Sequence, residues 1–213
     1  MAGESGITYR RGRARDCEGV QKVFHESGFV MYDGPEDGPT EAHFIATWNG
    51  RWAERLSHPD QVFAVAEYRE EGAEAVIVGF GRMQRDRPRM RMSVEEAALH
   101  EEPDAEGGDE GQTEQIEQTE LTGPTYDAEL MSLFVLSAFQ GCGIGSNLFR
   151  CVSEIAREEF KAKTAFCWCV DLEQSRKFYA NVGGELVGRK FVDTRRGIRP
   201  QTAFAFQLSS SSS

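Results

Sequence analysis

A short glycine-rich segment that joins a strand to a helix constrains this chain more than any other feature. The hydrophobic run that begins at Glu129 reads as a strand, and Gly141, Gly143 and Gly145 then lead directly into a helical pattern. A glycine loop at a helix start exposes several backbone N–H groups around one point, where the helix dipole adds a partial positive charge. Glycine also leaves room for a phosphate oxygen to approach the backbone. The segment therefore suits a bound phosphate.

The spacing of these glycines separates three classes of phosphate ligand. A nucleoside-triphosphate loop requires Lys followed by Ser or Thr, and neither pair follows Gly145. A dinucleotide loop requires a glycine where this chain has Ser146, so an oxidoreductase that binds NAD is the weaker interpretation. The glycines alone are equally compatible with a tight turn. Gln140 before the loop and Phe178-Tyr179 after the next strand make the pattern more specific.

The order of the predicted elements indicates an α/β fold in a single domain. Strands are predicted at 7–13, 62–67, 75–83, 127–136, 164–170, 185–192 and 203–207. Helices are predicted after Asp16, from Thr40 to about Leu56, at 144–160 and at 173–181. The hairpins make the central sheet of about seven strands mixed and mostly antiparallel, flanked by helices. We expect one domain over 1–208, an acidic and flexible insertion at 84–125, and a disordered serine-rich tail at 209–213.

The net charge of −11 is concentrated in one segment. Residues 93–125 contain eleven acidic and no basic residues, and the rest of the chain has 24 of each. This acidic segment has too few apolar residues to order itself alone, so we expect it to project as a solvated loop. The basic stretch before it, which includes Arg82 and Arg85, is interpreted as solvated charge. Pairing of that stretch with the acidic segment or with a polyanion is the alternative.

Composition argues against several classes of function. No run approaches the roughly 18 apolar residues that a membrane-spanning helix needs, and the first residues carry no secretory pattern. A net-acidic chain without a basic patch among aromatics predicts neither nucleic acid nor a membrane as a partner. The five cysteines form no disulfide framework, which favours a reducing, cytoplasmic setting. Cys167 and Cys169 lack partners for a zinc site and read as small core residues, so no metal is expected.

Taken together, these motifs resemble the GNAT superfamily of acetyl-CoA-dependent N-acetyltransferases. The phosphate loop of that family is Gln/Arg-x-x-Gly-x-Gly/Ala, and the residues from Gln140 to Gly145 match it in full. A later helix of the family carries Phe-Tyr before a glycine turn, and this chain has Phe178-Tyr179 followed by Gly-Gly. The close resemblance covers about residues 127–192.

The resemblance implies transfer of an acetyl group from acetyl-CoA to a primary amine without a metal. The CoA diphosphate would bind the glycine loop, and the strand before it would offer main-chain groups to the pantetheine arm, because family members have that strand splayed from its neighbour. Leu172 departs from the family, in which an asparagine at this place often contacts the cofactor. The residues expected at the cofactor are Leu133, Phe134, Val135, Gln140, Gly141, Cys142, Gly143, Ile144, Gly145 and Ser146.

By the same resemblance Glu129 is the candidate general base. An alkyl ammonium has a pKa near ~10.4, so the acceptor must lose a proton before it can attack. Glu129 lies on the strand that ends in the phosphate loop, where family members often have a catalytic glutamate. An ordinary solvent-facing glutamate is the alternative. His43 and Asp127 are rival bases, and catalysis by proximity alone would need no base.

Tyr179 is the candidate general acid for the departing thiolate. Family members commonly have a tyrosine here, close to the sulfur of the thioester. A phenol with a pKa near ~10 stays protonated at neutral pH and can donate its proton. A core tyrosine beside Phe178 is the alternative interpretation.

The acceptor amine is the part of the function that the sequence leaves open. The region that often shapes the acceptor pocket in the family holds an aromatic stripe, interpreted as core, that consists of Phe29, Tyr32, Phe44, Trp48 and Trp52. The acidic segment could steer a cationic amine such as a polyamine or a lysine-rich peptide, although a spacer is the preferred interpretation. A non-catalytic acyl-CoA-binding sensor or interaction module is the alternative function. A homodimer is compatible with the family.

Overall fold

The computed structural model describes residues 6–32, 51–85, 125–194 and 197–208, with the backbone alone at 28–32, 192–194 and 197–198. Its seven described strands form one sheet in the order β1-β2-β3-β4-β5-β7-β6. Their bounds are β1 Gly6–Arg11, β2 Gln61–Arg69, β3 Val76–Arg85, β4 Ala128–Val135, β5 Thr164–Val170, β6 Glu185–Thr194 and β7 Gly197–Gln207. The described helices are α1 Cys17–Tyr32, α2 Trp52–Ser57, α3 Ile144–Phe160 and α4 Glu173–Asn181.

The expected α/β fold with a mixed, mostly antiparallel sheet is confirmed. Neighbouring strands in the described sheet pair antiparallel, except that β4 and β5 are parallel. The predicted bounds of β5 and α4 agree with the structure residue for residue, and α3 covers the predicted 144–160.

The last strand is longer than the sequence pattern predicts. The pattern places it at 203–207, but β7 begins at Gly197 and pairs with β6 from Gly197↔Thr194 to Ala205↔Glu185. Residues such as Arg199 and Gln201 interrupt the apolar alternation that a sequence pattern needs. Pairing of the two main chains does not require apolar side chains, so the hairpin continues through them.

Four predicted features lie outside the described residues. They are the part of the second predicted helix before Arg51, the acidic segment up to residue 124, the rival base His43 and the serine-rich tail at 209–213.

Alternation along the strands directs side chains to two faces of the sheet. On one, which we call the α3 face, Leu148 and Val152 of α3 pack with Val62 of β2, Leu130 of β4 and Cys167 of β5. The opposite side, which we call the α1 face, is covered by α1 and α2. When both sequence neighbours of a strand residue point to one face of the sheet, the side chain of that residue points to the opposite face.

Aromatic rings fill the core of the α1 face. Trp52 of α2 is 1% exposed, and its ring meets Phe24 edge-on at 5.0 Å and Phe80 at 5.5 Å between centroids. Phe134 of β4 lies 5.7 Å from Phe80. Trp52, the member of the predicted aromatic stripe whose side chain is described, is therefore a core residue, as expected.

The strands β4 and β5 separate soon after they meet. They pair only at Ala128↔Ala165 and Glu129↔Phe166, although both strands continue well beyond these residues. Further along β4 there is a β-bulge at Met131. Arg82 pairs with Ser132 and Met83 pairs with Leu130, so Met131 has no partner on β3. The sheet thus has a V-shaped opening whose vertex lies at Glu129 and Phe166.

Main-chain groups of β4 face this opening. The N–H of Leu136 donates to the carbonyl oxygen of Val78 in β3 at 2.9 Å. Alternate residues of an antiparallel pair direct their N–H and C=O groups to opposite sides. The N–H groups of Leu133 and Val135 therefore point away from β3, toward the opening.

A buried carboxylate, Asp16, fixes the entry into α1 and makes the stability depend on pH. Its two oxygens accept hydrogen bonds from both terminal nitrogens of Arg10 and from the Arg13 N–H, each at 2.7 Å. Burial alone would raise the pKa of Asp16, but these hydrogen bonds outweigh it and lower the pKa. The stabilisation is therefore present above the ordinary aspartate pKa of about 3.9 and is lost as the pH falls through the lower folded value.

We expect Asp16→Asn to lower the free energy of unfolding by about 3 kcal/mol at pH 7, because it breaks a buried ion pair. Glu67→Gln, which removes the partly exposed second partner of Arg10, should cost under about 1 kcal/mol. Urea denaturation of both variants from pH 7 to pH 3 measures this. The deficit of Asp16→Asn should shrink as the pH falls, and a deficit that is independent of pH would contradict the assignment.

Candidate active site

The glycine loop forms an anion site at the start of α3. Gly141 and Gly143 have φ values of +78° and +76°, a left-handed conformation that favours glycine, and a Cβ at either position would meet nothing within 4 Å. The first hydrogen bond of the helix runs from the Asn147 N–H to the Gly143 carbonyl oxygen at 3.1 Å. The N–H groups of Ile144, Gly145 and Ser146 precede it, so they have no partner within the helix and are available to a ligand.

Gln140 ties the loop to the end of β4. Its Nε2 donates to the Val135 carbonyl oxygen at 2.9 Å, which holds the loop beside the strand that lines the opening. Cys142 is exposed between the two left-handed glycines, whereas the Ile144 side chain is buried in the α3 face. Ile144 can therefore offer a ligand its backbone but not its side chain.

Gly145 is a glycine for a different reason from the other two. A Cβ there would lie 3.1 Å from Cε2 of Phe178 on α4, which is closer than ordinary van der Waals contact. The Gly at this position therefore lets α3 and α4 approach each other. Phe178 and the loop motif, which the sequence presents as separate signals, are in contact in the fold.

A cleft of about 490 Å³ extends from the first turn of α3 along that helix to the end of α4. Ser146 and Asn147 line its end nearest the loop, and the exposed Arg150, the exposed Glu154 and the half-buried Arg157 line it farther along. The loop and the cleft thus both lie at the first turn of α3.

Glu129 lies at the vertex of the opening and points to the α1 face. Its neighbours Ala128 and Leu130 are both buried in the α3 face, so alternation directs Glu129 to the other side. Burial lowers the pKa values of Arg82 and Lys190, and the negative charge of Glu129 partly opposes that lowering, which places Glu129 near both cations. Glu129 is half-buried, so solvent or a ligand can reach it.

Tyr179 lies at the same vertex but on the α3 face. Its ring stacks at 5.6 Å on Phe204 of β7 and is 5.1 Å from Phe178. Its side chain hydrogen-bonds Cys167, which on β5 follows the last residue paired with β4. Burial raises the pKa of the Cys167 thiol well above its ordinary value, so that thiol stays protonated beside the tyrosine hydroxyl.

The rival base Asp127 is committed to a turn. Its carboxylate accepts hydrogen bonds from the N–H groups of Lys163 and Thr164, at 2.8 and 2.9 Å, and from the Thr164 hydroxyl at 3.1 Å. Burial alone would raise the pKa of Asp127, but these hydrogen bonds lower it overall. All three hydrogen bonds go to Oδ2, and a carboxylate whose pKa is lowered by its place in a turn is a poor proton acceptor, so the geometry favours Glu129 over Asp127.

A group of cations flanks the opening on the α1 face, and the sequence patterns missed its role. Arg82 of β3 is only 6% exposed, so the interpretation of solvated charge is wrong for this residue. Burial lowers the pKa of Arg82 to about 10, with Arg55 of α2 contributing in the same direction. Across the opening, Nζ of Lys190 lies 3.9 Å from the ring centroid of Trp168. The available signal was that Arg82 follows the apolar run Val76–Gly81 and precedes Met83 within one strand.

The cysteines are free thiols, and all except the exposed Cys142 of the glycine loop are buried or half-buried. Cys167 is buried, and the Cys169 sulfur lies 3.4 Å from the Thr202 hydroxyl. Within the described ranges, no group of three or more His, Cys, Asp or Glu side chains could hold a metal ion. Among the described helices, none combines the length and apolar character that a membrane crossing requires.

Comparison with known proteins identifies the class. The family model of the GNAT acetyltransferases matches residues 27–183, about three quarters of the chain, and the chain belongs to that family. This confirms the resemblance inferred from the glycine loop and the Phe-Tyr motif, and it makes the protein an acyltransferase. No curated protein sequence matches the chain.

Solved structures share the fold at low sequence identity. Arabidopsis thaliana NAA60 in complex with a bisubstrate analogue is 11% identical, with a TM-score of 0.61 over 96% of this chain and 100% of that chain. Salmonella typhimurium yncA with its cofactor acetyl-CoA is 15% identical, with a TM-score of 0.56 over 98% of each chain. PaiA N-acetyltransferase of Thermoplasma acidophilum in complex with coenzyme A is 15% identical, with a TM-score of 0.53 over 95% and 99%.

Proposed function

We propose that this protein transfers an acetyl group from acetyl-CoA to a primary amine, with Glu129 as general base and Tyr179 as general acid. One observation carries the proposal. The two side chains meet the vertex of the β4–β5 opening from opposite faces of the sheet. A donor that reaches the opening from the α3 face and an acceptor that reaches it from the α1 face would each have one proton-transfer group beside it.

The residues of the α3 face fit acetyl-CoA. The loop N–H groups and the positive end of α3 suit a diphosphate, and the open space beside Gly141 and Gly143 lets phosphate oxygens come close. The outward N–H groups of Leu133 and Val135 suit the amide groups of a pantetheine arm. The cleft along α3, with Arg150 and Arg157, would take the nucleotide end.

The chemistry divides between the two faces. When bound, acetyl-CoA would supply a thioester whose carbonyl carbon gains a bond to the acceptor nitrogen as its bond to sulfur breaks. Glu129 takes the proton that the acceptor ammonium must lose, and the Tyr179 hydroxyl gives a proton to the departing sulfur. Glu129 passes that proton to solvent. The nitrogen loses its second proton to solvent as the C–S bond breaks, which replaces the proton that Tyr179 has given, so conversion of the ammonium to the amide releases one proton in all.

Release of free thiol from acetyl-CoA in the presence of a panel of amines tests the function. The panel contains amino acids, polyamines, aminoglycosides, and peptides with a free N-terminus or lysine. Thiol release that depends on one class of amine, with the acetylated amine detected by mass spectrometry, is the expected result. Tight binding of acetyl-CoA by calorimetry without turnover of any amine would instead favour the non-catalytic acyl-CoA-binding sensor.

Tyr179→Phe should lower kcat by about 10–100-fold at neutral pH and leave the Kd for acetyl-CoA within about twofold. The ring and its stacking on Phe204 remain, and only the donated proton is lost. Tyr68→Phe, whose ring packs on Phe139 away from the vertex, is the matched control. Steady-state kinetics with calorimetry measures both effects.

Cys167→Ala separates the acid role from a packing role for the Tyr179 hydroxyl. It removes the hydrogen-bond partner of that hydroxyl but leaves its proton available to the thioester. Turnover close to wild type is expected. A rate as low as that of Tyr179→Phe would show that the hydroxyl acts through Cys167, and the acid role would be dropped.

A further inference from the structure

Arg82 is a buried cation beside the opening. On the α1 face it stands directly opposite Ser132 of β4, just beyond the vertex of the opening. Glu129 lies diagonally from it on the same face, opposite Gln84. The Nε of Arg82 is buried and donates to no described residue. A guanidinium at this depth is costly unless a hydrogen-bonding anion accompanies it.

Positive charge exceeds negative charge around this part of the opening. Arg55 lies on the α2 side with its guanidinium carbon 5.2 Å from the Trp52 ring centroid, and Lys190 lies on the far strand above Trp168. The charge of Arg55 helps to lower the pKa of Arg82, and Glu129 is the acidic group whose charge acts on the pKa values of Arg82 and Lys190. The charge of Glu54 acts in the same way on the pKa of Arg55, so among the described residues these three cations are accompanied by two carboxylates.

We infer that the acceptor is an amino-carboxylate, a small amine that also carries a carboxylate, and that Arg82 binds that carboxylate while Glu129 faces the amine. The inference rests on the proposed function and names its substrate class. The planar fork of a guanidinium matches a carboxylate with two parallel hydrogen bonds. Because Arg82 and Glu129 are diagonal neighbours on adjacent strands, one small molecule can contact both.

The same charges disfavour a polycationic acceptor. A polyamine or lysine-rich peptide would bring further ammonium groups toward Arg55, Arg82 and Lys190, where like charges repel. Long-range attraction by the acidic segment could bring such an amine near the protein, but it would not compensate for repulsion inside a partly buried site, where charges are screened less.

The test compares matched acceptors. Thiol release from saturating acetyl-CoA is measured with the twenty L-amino acids, with the corresponding L-amino acid carboxamides, and with spermidine. We expect kcat/KM for the best amino acid to exceed that of its carboxamide by at least about 30-fold, with spermidine lower still.

Arg82→Met assigns that preference to this side chain. Methionine has a similar length and no charge, and replacing a buried charge with an apolar group is often neutral or stabilising, so the variant should fold. We expect the ratio of amino acid to carboxamide to fall to about threefold or less, mainly through a higher KM, while the Kd for acetyl-CoA stays unchanged. Arg69→Met, an exposed arginine on β2, should keep the wild-type ratio.

The outcomes separate this inference from the function beneath it. If none of the amines supported thiol release, both the inference and the proposed function would be overturned. Equal rates with amino acids and carboxamides, or faster release with spermidine, would overturn the inference and leave the acetyltransferase intact. A carboxylate preference that survives in Arg82→Met would also overturn the role of Arg82. Loss of the preference in a variant whose melting temperature matches wild type would support it.

Discussion

Glu129→Gln is expected to lower kcat by about 10²–10⁴-fold at neutral pH while leaving the Kd for acetyl-CoA within about twofold. The amide has nearly the shape of the carboxylate but cannot accept the ammonium proton. Acetyl-CoA would bind on the α3 face, whereas Glu129 points to the α1 face, so the two effects should separate cleanly. Single-turnover kinetics with the best acceptor, together with calorimetry, measures them.

A second role of Glu129, as counter-charge for the nearby cations, makes a different prediction. If that role alone mattered, Glu129→Gln would raise KM or lower stability, and the pH dependence of kcat would keep its shape. As a base, Glu129 should produce an acidic limb in the pH–rate profile that disappears in the glutamine variant. Asp127→Asn is the matched control, because its carboxylate holds a turn. It should lower the melting temperature and leave the rate within about threefold.

Gly143→Val is the second change with a large expected effect, a rise of about 100-fold or more in the Kd for CoA. A valine at φ +76° would be strained, and its side chain would occupy the open space where a phosphate oxygen must approach. Since nothing lies within 4 Å of that position, the cost to folding is the strain alone, about 1–2 kcal/mol. Calorimetric titration with CoA, alongside urea denaturation, separates binding from folding.

Gly72 offers a control with the same backbone. It lies in the turn between β2 and β3, has φ +78°, and a Cβ attached there would meet nothing within 4 Å. Gly72→Val should therefore lose about the same stability as Gly143→Val and bind CoA like wild type. Equal CoA affinity in the two variants would contradict the assignment of the glycine loop to the CoA-binding site.

Local patterns predicted the parts of the site that depend on nearby residues. The glycines predicted a loop that leads directly into a helix, and Gly141 and Gly143 lie in that loop, in a left-handed conformation that the sequence analysis did not predict. The helical spacing of apolar residues in α3 and the short apolar run of β5 were also sufficient to predict those two elements. In each of these cases the sequence signal and its structural cause lie within one segment.

The parts of the site that were not predictable depend on contacts between distant segments. Gly145 is required by Phe178, which is more than thirty residues later in the sequence. Arg82 became significant only when the sheet register placed it opposite Ser132 beside the opening. No pattern within β4 or β5 indicates that their pairing stops at Glu129 and Phe166. The base and acid could be proposed from a family resemblance, but their placement on opposite faces required the fold.

The two-residue pairing of β4 with β5 means that side chains, more than main-chain hydrogen bonds, join the two halves of the sheet. Helix α3 spans both halves: it packs on β2, β3 and β4, and its Phe149 ring lies 4.7 Å from that of Phe206 on β7. Glu129 lies on β4 in one half, and Tyr179 lies on α4, which packs on the strands β6 and β7 of the other. The distance from base to acid is therefore set by one shared core rather than by strand pairing across the opening. A molecule that enters the opening would meet the two groups already spaced by that core, as a wedge enters a rigid slot.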